Sequence, residues 1–284
     1  MPSNYAHHDF GNRVWRSMPP HLRKYVQVER PLFAVGQHGP DILFYYMAMG
    51  HNSVNAVGYD THDKTGTDFF SHAAKVWIHA GRPPEMLAYL LGVICHFTLD
   101  AACHGYVEKK IQVSGVSHIQ IETEFDRYLL CIHGLDPLRH RLTRHICPSN
   151  NRAAMIAPIY PPVKSEEVLH ALLAMKFYDC LLTGSSCWKR GLVDVGMRLT
   201  GNYESMRYMK IGRTPAAICA DSNLRLGKLM NRAVPEARSA IEDFLAHCLE
   251  GKVLPASFDR TFGAGEGWSQ IPVLPYEEEI DYEV

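Results

Sequence analysis

Leu90-Leu91-Gly92-Val93-Ile94-Cys95-His96-Phe97-Thr98-Leu99-Asp100-Ala101-Ala102-Cys103-His104 is an apolar run with ionisable residues at four-residue steps. A helix turns about 100° per residue, so each such step drifts only about 40° around the axis. His96, Asp100 and His104 therefore lie on one stripe of a helix that is otherwise rich in Leu, Ile, Val and Ala. Burying them costs on the order of several kcal/mol unless something pairs with them. Fourteen residues after His104 comes His118-Ile119-Gln120-Ile121-Glu122, a second His/carboxylate pair at i, i+4. Together the two helices form the walls of a metal site.

Composition narrows the alternatives. The 284 residues can bury a sizeable core, and the net charge of −1 gives no global basic field for nucleic acid. Histidine is the unusual entry: sixteen are present, eleven of them between His7 and His118. The eight cysteines form no CxxC pair, which argues against a thiolate zinc ribbon. Scattered cysteines, and a start (Met1-Pro2-Ser3-Asn4-Tyr5-Ala6-His7) without a charged-then-apolar pattern, predict a cytoplasmic protein. The best candidate membrane span, 86–107, carries His96, Asp100 and His104 at its centre, so no transmembrane segment is expected.

Along the chain, helical patterns are expected at 17–25, 30–37, 62–78, 85–110 and 118–131. Others are expected at 138–146, 165–182, 188–199, 215–230 and 235–249. Gly39-Pro40 forces a turn, after which Asp41 heads the apolar helical turn Ile42-Leu43-Phe44-Tyr45-Tyr46. Residues 50–61 and 148–162 are expected to be turns and loop. No window alternates with period two over strand length. The prediction is all-α, a single multi-helix domain over 1–262 with an irregular acidic tail at 263–284.

The candidate ligands are His7, Asp41, His62, His96, Asp100, His104, His118 and Glu122. Zinc takes imidazole nitrogen and carboxylate oxygen, usually with four ligands. Eight side chains exceed the needs of one ion and suit two or three Zn2+ ions, with Asp100 able to bridge.

This ordered set resembles the bacterial zinc-dependent phospholipase C family, which shares an all-helical fold with the S1/P1-type nucleases. The resemblance rests on His96-Phe-Thr-Leu-Asp100, His104, His118-Ile-Gln-Ile-Glu122, Gly39-Pro40-Asp41-Ile42 and Tyr5-Ala6-His7-x-x-Phe10-Gly11, and covers 5–128. It implies one zinc on His118, Glu122 and His104, a second on Asp41, His62 and His96, and Asp100 bridging to a third near His7. His51 competes with His62 for its place, and His8 with His7. Secreted members use the amine and carbonyl of an N-terminal Trp, whereas this chain has no Trp before Trp15. The third metal is therefore expected to be absent, weaker or completed by another group.

The chemistry implied is phosphoester hydrolysis of a phosphodiester or phospholipid head group by a metal-bound hydroxide attacking phosphorus in line. Asp41 is the candidate catalytic carboxylate, orienting or deprotonating the water. A single-strand nuclease would need stacking platforms and a basic groove, which nothing marks clearly, and no stable nucleic-acid partner is expected. A metal-binding protein without turnover is the reading from another class. His62-Asp63 also matches the dyad of HD-type phosphohydrolases, a reading that leaves His118 and Glu122 unexplained. Glu124 and Asp126 are expected to face away from the His118/Glu122 stripe. His133, His140 and His145, interleaved with arginines, are expected on a solvated basic face.

Overall fold

Pro83 and Pro84 begin the helix that carries the polar stripe, and Gly115 ends it. Pro84 needs no hydrogen-bond partner in the first turn, and Gly115 adopts the left-handed conformation (φ 69°) that returns its N–H to the carbonyl of Ile111. The computed structural model describes residues 3–284. In it this helix, α6 (Pro84–Ser114), is 31 residues long, about 46 Å. Every residue from 86 to 100 is buried. By length and composition α6 would pass as a membrane span, yet 89% of its apolar window is buried inside the protein.

Other helices surround it. Before it come α1 (Asn4–Ser17), α2 (Pro20–Gln27), α3 (Arg30–Gly36), a 3-10 turn (Gly39–Tyr45), α4 (Ser53–His62) and α5 (Gly66–His79). After it come α7 (His118–Ile132), α8 (Asn150–Ile156), α9 (Ser165–Leu182), α10 (Cys187–Leu199), α11 (Tyr203–Met206), α12 (Ala220–Glu250) and α13 (Tyr276–Asp281). Among the described residues there is no strand, only an isolated bridge between Thr65 and Thr261. The expected all-α class is the observed one.

The closest approach is between α3 and α6. A Cβ on Gly92 would lie 2.2 Å from the Phe33 carbonyl oxygen, and one on Gly36 would lie 2.1 Å from that of Tyr89. Two backbones meet there with no side chain between them. This contact delivers the turn at Gly39 onto α6, where Gly39 (φ 48°) leaves the space that the His96 ring occupies: a Cβ would lie 2.4 Å from His96 Cδ2.

Several elements depart from expectation. α1 is a full helix over Asn4–Ser17, so the helix expected at 17–25 begins instead at Pro20. Residues 50–61, expected as turns, contain α4, whose start is fixed by a reciprocal Asn52–Asn55 capping box. Residues 138–146 are turns rather than helix, because buried Asp179 takes the N–H groups of Leu142 and Thr143 and the Thr143 hydroxyl. The expected loop 148–162 contains α8, capped by Ser149. The two helices expected around Pro235 are one, α12, whose buried face (Ala233, Ala237, Ile241, Phe244) runs through the proline. That packing offsets a cost of about 3 kcal/mol for an interior proline.

Residues 263–284 are not an irregular tail. They include α13, whose Glu279 is fully buried and bound by Arg225 through two 2.7 Å hydrogen bonds. The acidic run Glu277-Glu278-Glu279 looks solvated in sequence, because its one buried member is marked only by a partner far away in the chain.

Gly92→Ala should lower stability by roughly 2 kcal/mol or more, since backbone cannot step aside as a side chain can. Urea titration reads this directly, and wild-type stability would show that the two helices do not meet at that point.

Candidate metal centre

α6 contributes His96, Asp100 and His104 from one face. Asp100 is at the centre, and its two oxygens address different neighbours. Oδ1 lies 3.2 Å from His7 Nε2 and 3.7 Å from His104 Nε2. Oδ2 lies 3.0 Å from His96 Nε2 and 3.9 Å from His62 Nε2. On one side, Asp41 Oδ1 sits 3.0 Å from His62 Nε2 and 4.0 Å from His96 Nε2. On the other, Glu122 Oε1 sits 3.1 Å from His118 Nε2 and 3.9 Å from His104 Nε2. All eight residues singled out in the sequence converge in one place. They form three groups with metal-ligand spacing: His7/His96/Asp100, Asp41/His62/His96 and His104/His118/Glu122.

The outer contacts fix which nitrogen faces inward. His62 Nδ1 is 2.7 Å from the Gly58 carbonyl oxygen, and His104 Nδ1 is 2.8 Å from that of Phe262. A carbonyl only accepts, so each Nδ1 carries its proton. A neutral ring then presents the lone pair of Nε2 to a carboxylate oxygen, an arrangement that demands a cation between them. That cation is either a proton or a metal ion. His96 Nδ1 is buried without a hydrogen-bond partner, as is His7 Nδ1, so both rings direct Nε2 at Asp100. The donor set is imidazole and carboxylate throughout, which fits zinc.

Without metal, protons must meet this demand. Burial pushes the imidazole of His104 down, but Asp100 and Glu122 outweigh it and lift the group to about 9. His62 is raised by Asp41, and His7 by Asp100, also against burial. Burial pushes Asp100 up, and His96, His104 and His7 more than reverse it, holding the carboxyl well below its ordinary range. Glu122 is held down likewise, with His118 and His104 among the groups responsible. His96 is pushed down by burial and by neighbouring His7, against the pull of Asp100 and Asp41.

Sequence reasoning missed three supports. Asp126 is buried and accepts the N–H groups of Tyr5 (3.1 Å) and Ala6 (2.8 Å), anchoring the first turn of α1 and so placing His7. It lies four residues beyond Glu122, on the same stripe rather than facing away, so the spacing did carry the signal. Glu124 instead accepts from the Ala216 N–H. Phe262 gives its carbonyl to His104 and packs its ring against His62 and His96; no local pattern marks it. The third support is the vacant side-chain position at Gly39.

The competing residues lie elsewhere. His8 points to Gln37 and Asn12, and His51 and Asp63 are exposed outside all three groups. His145 is not on a solvated face: its ring stacks on His8 at 3.6 Å, and its Nε2 is 2.7 Å from that of His38. His133 meets the Tyr5 hydroxyl at 2.8 Å.

Access is uneven. The side chains of His118, His62 and Asp41 are 35%, 19% and 17% exposed, whereas His96 is fully buried. Phe44 stacks on His62 at the open edge, with Tyr59 against it. On the closed side a cavity of about 20 Å³ is bordered by His7, Asp100, His104 and Glu122.

A raised imidazole contributes stability that is complete below its unfolded pKa of 6.5 and disappears as pH rises through the folded value. The melting temperature of the chelator-treated protein should therefore fall between pH 6.5 and about 9, the value for His104. Added zinc should remove the fall by replacing the protons. An unchanged melting temperature across that window would contradict the pairing.

No curated protein and no solved structure matches the chain. The family model described as zinc dependent phospholipase C matches residues 6–165, more than half of the sequence and all eight converging side chains. The chain belongs to the zinc dependent phospholipase C family.

Proposed function

We propose that the protein hydrolyses a phosphodiester, with zinc held by the three groups around Asp100. The observation that carries this reading is the orientation of His62 and His104, whose outer nitrogens are tied to backbone carbonyls while the inner ones face carboxylates. His104, His118 and Glu122 would hold one ion, and Asp41, His62 and His96 a second. Asp100 would bridge to a third beside His7, so the residues suit two or three ions. Bound zinc supplies neutralisation of phosphate oxygens and makes water acidic enough to react near neutral pH.

The chain's own residues supply the rest. Asp41 stands at the open edge. Burial pushes its carboxyl up, but His62 and His96 hold it low, so it stays ionised and suits orienting a water better than storing a proton. Phe44 and Phe262 wall the site and limit water around the phosphate. A phospholipid head group, or a soluble phosphodiester of similar size, enters past His118 and Asp41.

Turnover of bis-p-nitrophenyl phosphate should require zinc and vanish on chelation. Asp100→Ala and His118→Ala should each lower it by roughly a thousandfold or more, as losing several kcal/mol of charge stabilisation implies, with helical content retained by circular dichroism. Wild-type activity in both variants would refute the assignment. Comparing short-chain phospholipid with single-stranded DNA then separates lipase from nuclease activity.

A further inference from the structure

α9, beyond its first residue, and α10 lie outside the matched family region, and both are apolar on the side that faces solvent. On α9, Leu173, Phe177 and Leu181 follow one another at four-residue steps, all exposed. On α10, Trp188, Leu192, Val195 and Leu199 follow at steps of four, three and four, all exposed, and Trp188 and Leu199 are 77% and 83% exposed. α10 buries only Val193 and Met197 on its inner side. A helix apolar on both faces is normally covered on both, and an exposed apolar stripe of this kind marks an interaction site.

The surrounding charge identifies what covers it. Residues 139–213 contain twelve Lys and Arg against five Asp and Glu, in a chain whose net charge is −1. Around the α9–α10 turn, Lys189 donates to the carbonyls of Cys180 and Thr183, Arg190 to those of Gly184 and Ile211, and Arg213 to that of Ser185. Carbonyl partners orient these cations without neutralising them. Arg139 joins them through the Ser185 hydroxyl, although it also pairs with exposed Asp136 at 3.5 Å, and Arg198 stands over Tyr203 near the far end of α10. The apolar stripe thus has a tryptophan at its tip and cations at both ends. A two-fold pairing with a second copy would set these cations against one another. A bilayer with anionic head groups satisfies both parts, taking the apolar side chains into its interface and the cations at its surface.

We propose that the outer face of α9 and α10 docks the protein onto an anionic lipid bilayer. The exposed line on α9 begins beside the 3-10 turn that carries Asp41, where the Tyr46 ring meets His170 at 5.2 Å. Exposed Met47 and Met49 follow that turn in sequence, six and eight residues after Asp41 at the open edge of the metal centre. Docking would hold that edge near lipid head groups, a purpose that rests on the phosphodiesterase reading, although the binding does not.

The test is co-sedimentation of the full chain with phosphatidylcholine–phosphatidylserine vesicles and with pure phosphatidylcholine vesicles, alongside turnover of bis-p-nitrophenyl phosphate in solution. The wild type should bind the anionic vesicles and bind less as salt is raised. Leu192→Asp with Val195→Asp, and separately Arg139→Glu with Arg213→Glu, should each weaken binding by about tenfold or more while soluble turnover is unchanged. Failure of the wild type to sediment, or equal binding by both variants, would overturn the proposal. So would a wild-type dimer in light scattering that Leu192→Asp dissolves, which would assign the face to a second copy. Vesicle binding lost in the variants of a protein that never turns over the soluble substrate would uphold docking and reject hydrolysis.

Discussion

A carboxylate buried at the centre of a buried helix is the constraint from which the rest of this structure follows. Asp100 is 4% exposed, and an isolated charge in such a place would cost several kcal/mol, a large share of what a whole fold is worth. It is tolerated because imidazoles reach it from α1, α4 and two turns of α6 itself. Each of those helices must therefore end or begin where it does: α1 with His7 in its first turn, α4 with His62 as its last residue. The glycine contact between α3 and α6 serves the same centre by lowering the turn that holds Asp41. Chemistry and packing are one problem here, since the side chains that neutralise the charge are also the candidate metal ligands.

That unity explains what could be foreseen from the sequence. His96, Asp100, His104, His118 and Glu122 sit on two helices at i, i+4 spacing, and local periodicity displays them. Asp41 was flagged by the proline before it. His7 and His62 stood out less clearly, each beside a rival, because the choice between neighbours depends on how a short helix is rotated. Only the tertiary structure resolves that rotation, through the Asp126 grip on α1 and the Asn52 cap of α4.

The misjudged elements share a physical cause: a local signal overruled by a distant partner. The 138–146 segment has helical composition but spends its amide protons on Asp179, thirty-odd residues away. α12 continues past Pro235 because the core on its inner face is worth more than the lost hydrogen bond. Glu279 looks like one of a solvated acidic trio, yet Arg225, its guanidinium over the rings of Tyr106 and Tyr282, holds it in the interior. None of these pairings leaves a trace within a window of neighbouring residues.

The Phe262 carbonyl carries a meaning for how such a protein divides. The matched region ends at residue 165, yet the proton on His104, and hence the nitrogen it offers inward, is set by a backbone atom almost a hundred residues later. Gly66 donates to the Arg260 carbonyl at 2.8 Å, tying that late segment to α5. The stretch that defines the family is thus not a self-sufficient unit. Its ligand chemistry borrows a component from the carboxyl-terminal part of the chain, a backbone carbonyl that any residue could supply as long as the path of the backbone is kept.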